Sequence, residues 1–104
     1  MIGAVIGTIS TGAFAASEVS DLDALATARG YIAWVAMKCP PDTVRITDQG
    51  ALILKLYDKM EWSEKRENLS NASWDAMTAA AEKTSLNSAC RAVSTMLPAF
   101  FERF

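Results

Sequence analysis

The chain has 104 residues, enough for one domain, and its content of 51% hydrophobic and 21% charged residues is that of a globular protein. Ten basic against twelve acidic side chains give a formal charge of −2, without the basic footprint that nucleic acid or an anionic membrane would require. With no histidine and two cysteines, a Ser-His or Cys-His nucleophile and a zinc site of ordinary ligand spacing are excluded.

Residues 1–15 carry no charged side chain, are rich in Ile, Val, Gly and Ala, and end in Ala13-Phe14-Ala15, a small-x-small pattern. They read as a secretory leader cut before Ala16, which leaves 16–104 as a single helical domain. The other reading is a first apolar helix of that domain. Interrupted by Gly3, Gly7 and Gly12, the run is too short for a stable membrane span.

Ser20 followed by Asp23 resembles a capping box and predicts a helix from there to about Lys38. Leu25, Ala28, Ile32, Val35 and Cys39 recur along it at steps of three and four, which makes one apolar stripe. Gly30 lies inside this pattern at a cost of about 1 kcal/mol relative to Ala. Its predicted use is close approach of a neighbouring helix. Tyr31, Trp34 and Lys38 fall on a different face, so the helix is either central, packed on both sides, or keeps one face for a partner.

Cys39-Pro40-Pro41 stops the helix, because neither proline donates a backbone hydrogen bond and each biases its predecessor away from helical angles. Thr47 is the expected N-cap of a second helix, with Asp48 at its positive end and Ile46 placed to staple onto Ala51. Leu52, Ile53, Leu56, Tyr57 and Met60 are its expected buried side. Residues 61–73 are the most polar stretch, with Ser63, Ser70 and Asn71 as competing caps. We expect a connection there, followed by a third helix over about 72–83 that buries Trp74, Met77 and Ala81 and makes tight contacts at Ala79 and Ala80. Ser85 caps a last helix whose stripe runs through Leu86, Cys90, Val93, Leu97, Phe100 and Phe104. Pro98 should kink it or restart it as a short terminal turn. The predicted fold class is all-α, a compact bundle of about four helices.

One cysteine lies on the first stripe and one on the last, so those two helices are expected to be partners. In an exported domain, Cys39 and Cys90 imply a structural disulfide; without export they would be two buried thiols acting as small core residues. A catalytic thiol is disfavoured, since both positions belong to core stripes. Glu61, Glu64 and Glu67 stand in a solvated run with Lys65 and Arg66, unlike the buried carboxyls of general acid–base catalysis. The residues therefore predict neither an enzyme nor a cofactor.

The segments Arg29-Gly30-Tyr31-Ile32-Ala33, Cys39-Pro40-Pro41, Gln49 leading into 52–57, and the alanines before Cys90 together resemble the small periplasmic immunity proteins of type VI secretion, the Tai-like group. In that group a Gly-Tyr helix precedes a Cys-Pro turn and a later cysteine closes a disulfide. The resemblance implies a periplasmic or secreted protein that binds and blocks a peptidoglycan-cleaving amidase effector, by occluding its cleft. The expected binding surface is the 61–73 connection headed by Trp62, with exposed parts of Tyr31 and Trp34, because interfaces favour aromatic anchors within a polar rim. For Trp62, a core cap over the second helix is the competing role. Two other classes stay open: a periplasmic acid-stress chaperone, and a small structural envelope protein, in which a homodimer would form through the first helix.

Overall fold

The computed structural model describes residues 18–104, with side chains from Leu22 onward. The expected leader and its cleavage point lie outside the described residues. Four helices account for most of this region: α1 (Glu18–Lys38), α2 (Asp48–Lys59), α3 (Glu64–Lys83) and α4 (Leu86–Met96). The fold is the expected all-α bundle, with two short strands added, β1 (Val44–Ile46) and β2 (Phe101–Arg103).

α1 is the central helix, packed against α2, α3, α4 and β1. Ala28, Ile32, Val35 and Cys39 of the predicted stripe are all buried, and Cys39 is joined to Cys90 of α4 by a disulfide, with Cα atoms 6.0 Å apart. The other face meets α3. A Cβ at Gly30 would run into the Ser70 carbonyl oxygen and come within 2.7 Å of Ser73 Cβ, so glycine permits the helix crossing predicted for it. Trp34 is buried on this side and its indole N–H donates to Thr78 Oγ1 at 3.3 Å. With α3 on one face and α4 on the other, α1 is the central helix of the bundle. The predicted capping box fails as well: Ser20 lies within the helix, and Asp23 pairs with Lys65 of α3 at 2.9 Å.

α3 begins far earlier than expected. Ser63 is its N-cap, accepting from the Arg66 backbone N–H, and Glu64 and Glu67 sit favourably in its first turn. The stretch that looked like a polar connection is helical because its inner face is built of Ser70 and Ser73, both buried against Gly30, before Trp74 and Met77 take over. Ser70 Oγ accepts from Arg29 and Ser73 Oγ donates to the Leu69 carbonyl, so neither buried hydroxyl lacks a partner. Ala79, expected at a tight contact, is exposed, whereas Ala80 and Ala81 pack on the core.

α2 is rolled by about one position from its predicted orientation. Gly50, Ile53, Leu54 and Tyr57 face inward, while Leu52 (52% exposed) and Leu56 (42%) face out. Gly50 sets this rotation, since a Cβ there would lie 2.8 Å from the Phe100 carbonyl oxygen.

α4 keeps its stripe through Cys90 and Val93 and is capped by Ser85, but it ends at Met96, before Pro98. The segment beyond is a turn and then β2, which pairs antiparallel with β1 in the register Val44–Arg103, Arg45–Glu102, Ile46–Phe101. Val44 and Phe101 point inward; Arg45 and Glu102 form an exposed pair at 3.8 Å, and the Arg45 guanidinium lies 4.2 Å from the Phe104 ring centroid. Phe104, predicted on the helical stripe, is 58% exposed.

Thr47 joins this ribbon to α2. Its Oγ1 accepts from the Gly50 N–H at 3.2 Å and donates to the Ala99 carbonyl at 2.7 Å, and its own N–H donates to the Phe100 carbonyl at 2.9 Å. Thr47→Val should cost about 1–2 kcal/mol in urea unfolding, because both side-chain bonds are lost at constant shape. Thr47→Ser should cost well under half of that, and equal losses would show that the methyl group, not the hydroxyl, matters.

Candidate functional site

The exposed aromatic predicted at the head of the polar stretch is there. α2 ends at Met60, whose backbone is extended, and Ser63 is extended as the cap of α3, so 61–63 form a short link with Trp62 at its middle. Trp62 is 71% exposed, which settles it as a surface residue and not a cap over α2. Its indole N–H donates to the Glu67 carboxylate one turn into α3, which fixes the ring's orientation without burying it.

Beside this ring lies a cleft of about 260 Å³ between the end of α2 and the start of α3, with Tyr57, Asp58, Met60, Glu61 and Arg66 in its wall. Tyr57 is held in place by Arg29 of α1, whose guanidinium sits 5.0 Å from the ring centroid and donates to Ser70 Oγ at 3.2 Å. One cation thus ties α1 to both α2 and α3 at the cleft. Arg66 is partly buried, and its Nη2 donates to the Glu61 carbonyl at 3.4 Å.

The other two predicted surface residues do not join this site. Trp34 is 2% exposed and hydrogen-bonded within the core, so it has no surface to offer a partner. Its partner Thr78 stands roughly 16 Å along α3 from Glu67, at 1.5 Å per residue. Tyr31 is partly buried and packs on the core cluster. The sequence pattern puts Arg66 in a solvated charge run and Tyr57 in the core, whereas both stand in the cleft wall. The available signal was Ser63 followed by Glu64 and Glu67, an N-cap residue with acids in the first turn, which would have started α3 there and placed Arg66 in that turn.

Among the described residues no three His, Cys, Asp or Glu side chains come together as a metal site needs. The arrangement offers a binding surface: an aromatic ring, an adjoining cleft and a mixed-charge rim. Comparison with protein families, with characterised proteins and with solved structures finds no match to this chain.

Proposed function

We propose that this chain is an exported helical binding protein that acts by occlusion, and that its partner is a peptidoglycan-cleaving amidase against which it confers immunity. The observation that carries the binding role is Trp62, a large aromatic 71% exposed beside a cleft and rimmed by Glu61 and Glu67. The disulfide supports an oxidising compartment, and among the described residues no helix is long and apolar enough to cross a membrane. The amidase as target rests on the Gly30-Tyr31 helix and the Cys39-Pro40-Pro41 turn, which resemble the type VI immunity proteins.

The test is capture with the tagged chain from non-reduced envelope and secreted fractions, followed by assay of any captured hydrolase on peptidoglycan. The expected result is a stoichiometric amidase whose activity the chain blocks. Trp62→Ala should weaken that complex by about tenfold or more while moving unfolding stability by less than about 0.5 kcal/mol. Recovery of the chain alone would reject the amidase as partner, and unchanged affinity in Trp62→Ala would remove this surface from the proposal.

A further inference from the structure

Several aromatic rings of this fold lie beside a basic side chain of the chain itself: Tyr57 has Arg29 at 5.0 Å from its centroid, Trp74 has Lys38 at 6.0 Å and Phe104 has Arg45 at 4.2 Å. Trp62, the most exposed aromatic among the described residues, has no such cation among them. Its surroundings are acidic. Asp58 and Glu61 line the cleft beside the ring, Glu67 accepts from the indole N–H, and all three acids are exposed. The ion pairs found among the described residues are Lys65–Asp23 and Arg45–Glu102, so no salt bridge there neutralises these carboxylates. Arg66 is the base in the cleft wall, and it is engaged with the chain's own backbone: Nη2 donates to the Glu61 carbonyl, and Nε is closed off from water.

We propose that the exposed face of Trp62 receives one basic side chain, Arg in preference to Lys, projecting from a protein partner; the proposal rests on reading the chain as a binding protein. A cation over the indole meets the negative side of the ring's quadrupole, and indole is the strongest of the aromatic faces in this respect. Donation of the indole N–H to the Glu67 carboxylate polarises the ring further in the same sense. Asp58 and Glu61 add charge attraction for the arriving group, and Tyr57 and Met60 in the cleft wall offer its aliphatic stem an apolar bed. Charge also decides against the opposite partner. An acidic side chain laid on this ring would meet the carboxylates of Asp58, Glu61 and Glu67. A planar guanidinium can stack on the ring while its N–H groups reach those acids, which a lysine ammonium does less well.

The test uses the whole chain, labelled with ¹⁵N, at constant ionic strength, with three probes: the capped tripeptide acetyl-Gly-Arg-Gly-amide, its citrulline counterpart of the same shape without the charge, and its Asp counterpart. The Arg peptide should shift the Trp62 Nε1–H and Glu61 backbone N–H signals saturably, with a dissociation constant of the order of 10 mM. The citrulline peptide should bind about fivefold more weakly or worse, and the Asp peptide should leave both signals in place. Glu67→Gln keeps an acceptor for the indole N–H while removing its charge, so the ring stays oriented. Combined with Glu61→Gln, it should weaken the Arg peptide about threefold or more with the remaining amide spectrum intact. Equal responses to the Arg and citrulline peptides, a stronger response to the Asp peptide, no saturable shift up to about 100 mM, or undiminished binding in the double variant would overturn the assignment. Arg-peptide binding without any captured amidase rejects the amidase and leaves this surface standing. A captured amidase held equally tightly by the double variant rejects the basic side chain and leaves the amidase.

Discussion

Reduction of the Cys39–Cys90 bond is expected to lower unfolding stability by about 4 kcal/mol, the figure that the chain-entropy treatment gives for a closed loop of 51 residues. The bridge encloses β1, α2 and α3 in sequence, joining the residue that follows α1 to the middle of α4. Cutting it frees the unfolded chain far more than it disturbs the folded one. Cys39 and Cys90 are 8% and 0% exposed, so the reduced thiols remain packed as small apolar groups, and reduction isolates the entropic part. Replacing both by Ala should cost somewhat more, since sulfur volume is then removed from the core. For a domain whose total is of the order of 5–15 kcal/mol, the reduced protein would be marginal at 37 °C. Urea unfolding with and without a phosphine reductant measures this. A midpoint that does not move on reduction would show that other contacts already restrict the unfolded chain.

Gly30→Val should cost about 3 kcal/mol, and Gly30→Ala about 2, although either change raises intrinsic helix propensity. The obstruction is the main-chain carbonyl of Ser70, which no rotamer can move, with Ser73 Cβ behind it. α1 and α3 must then separate at their closest point, and the Arg29–Ser70 hydrogen bond is strained with them. Because the obstacle is backbone, Ser73→Gly should not restore stability to Gly30→Ala. If it does, the crossing is limited by the serine side chain, and the helices are less tightly apposed than their geometry indicates.

The helices that were legible in the sequence are those whose inner faces are apolar. The stripe of Ala28, Ile32, Val35 and Cys39 and the run of Cys90 and Val93 declare themselves by period, and Gly30 declared a close crossing by its cost. The first half of α3 was illegible for the opposite reason: Ser70 and Ser73 line its buried face, and a helix that hides serines against a glycine shows no apolar period. The ribbon was illegible because each strand has three residues and its partner lies more than fifty positions away, beyond any local pattern. Phe100 and Phe104 therefore passed as helical, at steps that fit a stripe past Pro98. At the candidate site, Trp62 was found because a lone tryptophan among charges is conspicuous. Trp34 was misplaced because period alone cannot tell a second buried face from an open one when Gly30 admits another helix against it.

The β1–β2 ribbon also sets the order in which this fold can be completed. Val44 and Ile46 precede α2, α3 and α4 in the chain, and the strand that pairs with them follows all three. Without 99–103, β1 is an unpaired edge, the Thr47 N–H and hydroxyl lack Phe100 and Ala99 as acceptors, and the Phe100 carbonyl against which Gly50 packs is missing. Because this pairing joins residues more than fifty positions apart, it carries a large loop-closure cost and is expected to be among the slower contacts to form.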